Sequence, residues 1–170
     1  VIPPRAQPNF IGHSAALASL TEAAAANRLH HGWLIGGPPG VGKATLAFRF
    51  ARHLLAGGTT GNMAVDPDNP VFRRVAAGTH PDLFTVERRV NEKTDRLQTE
   101  IVVNTIQQAA GFMRRTAGEG GWRVVVIDGA ENIGGATGPR DLAPGQCGPW
   151  PAVADTAQPL PPPDPGPAGR

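Results

Sequence analysis

The feature that most constrains this chain is the run Gly37-Pro38-Pro39-Gly40-Val41-Gly42-Lys43, which fits the pattern G-x-x-x-x-G-K. A short apolar stretch, Gly32-Trp33-Leu34-Ile35-Gly36, precedes it and reads as a buried strand. A helical pattern follows from about Lys43 to Ala56, with Leu46, Ala47, Phe50 and Leu54 on one face. Glycines give the backbone conformations closed to other residues, so successive N–H groups can converge on an anion. The helix start adds the positive end of its dipole, and Lys43 adds a full charge for the outer phosphates of a nucleotide. A strand, such a loop and a helix in succession commit the region to an α/β arrangement built around a nucleotide seat.

Residue 44 departs from the pattern. A Ser or Thr hydroxyl normally follows the lysine and binds Mg²⁺, but here Ala44 stands in that place and Thr45 comes one later. A shift of one residue turns a helical side chain by roughly 100°, so Thr45 does not simply take over. The expected binding set for ATP is therefore Gly37, Pro38, Pro39, Gly40, Val41, Gly42, Lys43, Ala44 and Thr45, with weakened coordination of Mg²⁺.

The strongest strand signal is Trp122-Arg123-Val124-Val125-Val126-Ile127-Asp128, an apolar run ending in a carboxylate. In a parallel sheet it sets Asp128 at the C-terminal edge beside the phosphates, as a Mg²⁺ ligand directly or through water. The alternative is a surface carboxylate capping the next loop. Glu131, three positions on, reads as a solvated loop charge.

The remaining signals fill in the same alternation. Ser14 reads as an N-cap for a helix to about Asn27, with Leu17, Leu20 and Ala24 at helical spacing. Gly57-Gly58 ends the second helix, and residues 57–80 are irregular apart from a turn of helix at Val71 to Val75. Asp82 to Val86 is a second strand, and residues 88–99 are a charged, solvated loop. After the short extended segment Ile101 to Val103, Asn104 and Gln107 form a capping-box pattern for a helix with Ile106, Ala110 and Met113 inward. Alternating helices and apolar strands predict a parallel α/β sheet. The pairs Arg73-Arg74, Arg88-Arg89 and Arg114-Arg115 read mainly as solvated faces and helix-end charges.

Composition changes near residue 136. Ten of the 18 prolines fall from Pro139 onward, each without an amide donor. Few apolar side chains remain there to offset the ordering entropy, so residues 137–170 read as a disordered, low-complexity tail. The abrupt break at about Asn132 to Gly138 points to a shifted reading frame or a mis-joined coding sequence; a genuine disordered linker is the alternative. The start lacks Met and a signal-peptide pattern, which suggests a non-standard initiator, a processed end or a fragment. Cys147 stands alone, which excludes a disulfide framework and a Cys-rich zinc site and fits a reducing cytosol. With a net charge of +2 the chain does not grip nucleic acid by bulk charge, and no run of about 18 apolar residues spans a membrane.

The stretch Arg28 to Ala47 resembles the nucleotide-loop region of bacterial clamp-loader subunits of the AAA+ class. Ile11-Gly12-His13 is similar to their N-terminal segment, which packs near the adenine, and His80-Pro81-Asp82-Leu83 to the approach to their second strand. Ile101 to Met113 and Gly121 to Asp128 continue the likeness. The DNA polymerase III delta-prime family, in its alphaproteobacterial form, is nearest, with Val71 to Leu83 particularly like that subgroup. The resemblance covers roughly Pro4 to Ile133. It implies residues 1–136 as a partial AAA+ nucleotide-binding domain in a cytoplasmic, pentameric machine that opens the sliding clamp and places it on primed DNA.

Its implied partners are the other clamp-loader subunits, the sliding clamp and, through the complex, primed DNA, with no membrane. The delta-prime type acts mainly as a stator, and Ala44 together with Gly129, where hydrolysing relatives carry the base Glu, points to weak or absent hydrolysis. Many relatives carry a four-cysteine zinc module after the loop helix, and residues 57–80 contain no cysteine. Competing readings are an active AAA+ ATPase of the motor type, a non-functional truncated product, and a small-molecule kinase, which would need an Arg-bearing lid not found here. The family sheet order is 5-1-4-3-2, and no fourth strand is legible. The loop strand and the Asp128 strand are then expected to lack a shared neighbour, leaving unpaired edges and a marginal, aggregation-prone or partly folded chain.

Overall fold

A computed structural model describes residues 2–26, 28–58, 61–88, 90–91, 96–97, 101, 103–119, 121–130, 152–154 and 158–159 of the 170. After a short 3₁₀ turn at Pro4–Ala6 come α1 (Ser14–Ala25), β1 (Gly32–Leu34), α2 (Lys43–Leu55), α3 (Pro70–Ala77) and β2 (Leu83–Val86). Then follow β3 (Val90–Asn91), β4 (Arg96–Leu97), α4 (Val103–Met113), β5 (Val124–Ile127), β6 (Ala152–Ala154) and β7 (Gln158–Pro159). The main sheet runs β2-β5-β6-β1-β7, parallel except for β7.

All four residues of β5 are buried, which is why its sequence shows no alternation. Val124 and Val126 pack with Leu20, Ile35, Leu46, Phe50, Leu54, Met63 and Val75 on one face. Val125 and Ile127 pack with Val86, Ile101, Ile106 and Ala109 on the other. Each of these aliphatic side chains contributes about 2 kcal/mol by leaving water, so β5 is the strand that ties both helical layers to the sheet.

Several boundaries differ from the sequence reading, each for a local reason. The N-cap of α1 is His13, not Ser14; His13 sits at φ 53 and makes no side-chain cap bond. The turn at Val71 grows into eight-residue α3, because Asn69 accepts from the Val71 amide and Pro70 fits the first turn. Asn104 lies inside α4, whose first residue is Val103, so the capping-box reading is corrected. Residues 88–99 include an antiparallel pairing of β3 with β4 rather than loop alone.

The expected gap between the loop strand and β5 is also corrected. Ala152–Ala154 occupies it, pairing parallel with β1 from Gly32 to Leu34 and with β5 at Val125 and Val126. This is a Pro-free Ala-Val-Ala stretch within a proline-rich segment, so all three of its amides are available to a ladder. The rest of the expected tail, Glu131 and Arg89 lie outside the described residues.

Candidate functional site

Four parallel strands place their C-terminal ends on one edge of the sheet. The glycine loop leaves β1 at that edge, and Asp128 follows β5 there. Gly37, Gly40 and Gly42 take φ values of 151, 79 and 102, conformations that favour glycine. Gly42 is the N-cap of α2, and Lys43 is its first residue. The loop from Gly37 to Val41 is exposed, and a Cβ built on Gly40 or Gly42 would meet nothing within 4 Å, so the cradle is open to solvent. Lys43 Nζ donates to the carbonyls of Gly37 (2.9 Å) and Pro38 (3.3 Å), which holds the ammonium at the loop.

The backbone of this loop is further tied from outside. His13 Nε2 lies 2.7 Å from the carbonyl oxygen of Val41. A carbonyl only accepts, so the imidazole proton sits on Nε2 and donates. Nothing in the spacing of the sequence announces this bond, which joins residues 28 apart.

Ala44 and Thr45 are both half-buried on the first turn of α2. Asp128 is exposed, and its amide donates to the Val86 carbonyl at 2.8 Å. Gly129 follows at φ 81. A glutamate at that position would have to enter the left-handed region, which costs a non-glycine residue about 1 kcal/mol. Among the described residues no group of three or more His, Cys, Asp or Glu side chains gathers to hold a metal. The donor set fits a phosphate at the loop better than a protein-made metal cage, and Asp128 is the residue that would hold a Mg²⁺ ion at this edge.

Helix α2 is buried on nearly every side from Leu46 to Leu54, charged residues included. Arg49 donates to the Asn62 carbonyl (3.2 and 3.0 Å) and the Pro8 carbonyl (3.1 Å). Arg52 donates to the carbonyls of Arg5 (2.9 Å) and Gln7 (2.8 Å) and stacks over the Phe72 ring. Their acceptors are carbonyl oxygens, so burial is not offset by a counter-charge: it lowers Arg52 to about 10, with Arg49 adding repulsion, and lowers Arg49 as well. These two guanidinium groups strap residues 5–8 across the helix that carries the glycine loop. The sequence reading missed them, because the helical pattern marks only the apolar face.

A second polar group lies at the opposite edge, at the N-terminal ends of β2 and β5. Asp82, 1% exposed, accepts from the amides of Gly118 (2.7 Å) and Glu119 (3.0 Å) and faces Arg123 Nη2 at 3.4 Å. Arg74, read earlier as a solvated charge, makes a two-pronged pair with Glu119. Arg73 stays exposed, as do Arg88, Arg114 and Arg115. His80 is buried; its Nδ1 accepts from the Asp82 amide, and its Nε2 faces Glu119 at 3.7 Å. Burial, then Arg74, lowers its pKa below the ordinary histidine value.

Among known proteins, the family described as DNA polymerase III, delta subunit matches residues 12–137, which takes in both the loop and Asp128. A curated relative, DNA polymerase III subunit delta' of Pseudomonas aeruginosa, is 36% identical over 106 residues, covering 59% of this chain and 29% of the relative. The chain therefore spans under a third of that relative's length. No helix among the described residues is long and apolar enough to cross a membrane.

Proposed function

Since this chain belongs to the DNA polymerase III delta subunit family, we propose that it is a delta-prime-like piece of a cytoplasmic clamp loader of the AAA+ type, one that seats ATP without splitting it efficiently. One observation carries the nucleotide part of the reading. The glycine loop leads straight into α2, with left-handed Gly40 and Gly42 opening its amides and Lys43 at the first helical position. In this reading Gly37, Pro38, Pro39, Gly40, Val41, Gly42 and Lys43 line the phosphates, and Ala44 and Thr45 close the helix side. Asp128 supplies a protein carboxylate for Mg²⁺.

Two features support weak hydrolysis. Ala44 offers no hydroxyl to the metal. Gly129, at φ 81, stands where hydrolysing relatives carry a glutamate, and its backbone disfavours that residue. The role in turn is that of a stator: a rigid unit that docks to the other clamp-loader subunits, and through them to the sliding clamp and primed DNA.

Calorimetric titration of the 170-residue chain with ATP tests the nucleotide reading, with Lys43→Ala as control. Saturable binding that Lys43→Ala weakens by about ten- to a hundredfold is the expected result. Steady-state turnover comparable with ordinary ATPases, about 1 s⁻¹ or more, would favour the motor reading instead. The assembly reading is tested by pull-down with purified clamp-loader subunits; no retention of any of them would count against it.

A further inference from the structure

The phosphate loop contains a peptide that can face either way. Gly42 has no side chain to fix it, and a Cβ added there would meet nothing within 4 Å. The Val41–Gly42 peptide is planar, so its carbonyl and its N–H point in opposite directions. If the carbonyl turned inward, the cradle would present an oxygen to an anion and withdraw an amide. The orientation of this one peptide therefore decides whether the loop attracts or repels phosphate.

We infer that His13 is the positioning residue that sets this peptide, and with it the anion affinity of the loop; the second half of this statement rests on the nucleotide reading above. Its Nε2–H donates to the Val41 carbonyl at 2.7 Å, and so directs the Gly42 N–H the opposite way. His13 is itself held in an unfavoured state, at φ 53, directly after Gly12 at φ 84. Such a conformation persists only where the surroundings impose it. Those surroundings are visible. The His13 ring lies against Phe10 with centroids 5.8 Å apart, Phe10 lies under the Arg49 guanidinium at 5.9 Å, and Arg49 grips the Pro8 carbonyl. Arg49 stands on α2, the helix that the loop begins. The strap thus runs from α2 out through residues 8–13 and back to the loop at Val41, closing a ring around the start of the helix.

The test is designed to separate this role from folding and from nucleotide binding. Glycine accepts the backbone of residue 13 without strain, so His13→Gly removes the donor while easing the conformation. In the 170-residue chain without nucleotide, the Gly42 and Lys43 amide signals are expected to be single in the unmutated protein. In His13→Gly they should broaden or split by exchange, while the β5 amides, Val124 to Ile127, stay in place. His13→Gln, whose amide nitrogen reaches about as far as Nε2, should restore them. ATP affinity is expected to fall about tenfold in His13→Gly, the order of one lost hydrogen bond, and to recover in His13→Gln. Unchanged loop amides in His13→Gly overturn the inference whatever the affinity does. Disorder that spreads to β5 overturns it too, since His13 would then serve the fold at large. A locked loop in an unmutated chain that binds no ATP sinks the nucleotide reading and leaves the role of His13 on the peptide standing.

Discussion

At one edge of the sheet, Asp82, His80, Glu119, Arg74 and Arg123 interlock over the N-terminal ends of β2 and β5. At the other edge, Asp128 stands exposed and the glycine loop is open to solvent. The first edge carries a buried carboxylate and a perturbed histidine. Perturbed groups often mark functional sites. In this chain they mark scaffold. The interlocked edge fixes where β5 begins, and four buried residues later β5 delivers Asp128 to the sparse edge. Charged side chains interlock where no ligand is expected, and the edge where one is expected stays exposed to solvent.

The sharpest way to break that contrast is to disable each edge in turn. Asp82→Ala removes the acceptor of two amides and leaves Arg123 without its carboxylate. Losing one partner of a buried, hydrogen-bonded pair costs about 3 kcal/mol or more, so urea unfolding should show a large fall in stability or loss of the folded state. Lys43→Ala, at the open edge, should do the reverse. ATP affinity should drop by about ten- to a hundredfold, the order of a lost charge-assisted contact, with the urea midpoint nearly unmoved. If Lys43→Ala unfolds the chain as Asp82→Ala does, the two edges are not distinct.

A pH titration sharpens the comparison further. His80 is held neutral by burial and by Arg74, so its folded pKa lies below the ordinary value near 6.5. Its contribution to stability is complete above that value. As the pH falls below it, the unfolded chain takes up a proton that the folded one refuses, and stability declines until the lowered folded pKa is passed. Urea midpoints from pH 7.5 to pH 5 should therefore fall on acidification. His80→Asn, which keeps an acceptor for the Asp82 amide, should reduce that slope. It should not abolish it, because His53, buried on α2 beside Arg49, is shifted in the same direction.

The smallest effects belong to Asp128. Asp128→Asn should leave the unfolding free energy within about 0.5 kcal/mol of the parent, as expected for an exposed side chain. It should also remove most of the Mg²⁺ dependence of ATP binding. A Mg²⁺ dependence equal to that of the parent would assign Asp128 to loop capping instead.

Much of this arrangement was legible in the sequence, and what was hidden has a physical cause. The loop, the helix that follows it and the fully apolar β5 were readable because each is set by local pattern: glycine spacing, a helical stripe, a run of valines. The cap of α1 was misplaced because Ser14 has the better side chain, while the chain actually turns at left-handed Gly12 and His13. The bonds made by Arg49, Arg52 and His13 escaped notice because their acceptors are backbone carbonyls 13 to 47 residues away, and a carbonyl carries no residue-type signal. The Asp82 cluster escaped for a similar reason, since two of its donors are amides of Gly118 and Glu119. The strand in the β1–β5 gap was hidden because three residues among prolines carry no periodicity.

The strap across α2 also sets an order of events. Residues 5–8 leave the ribosome before Arg49 and Arg52, whose guanidinium groups hold them. Residues 5–8 cannot reach their native place until α2 exists, and a contact of that sequence separation forms late. Mutations in the strap should therefore speed unfolding and leave the folding rate almost unchanged. The glycine loop, held through His13 to the same strap, would then acquire its final shape among the last steps of folding, after the core beneath it has set.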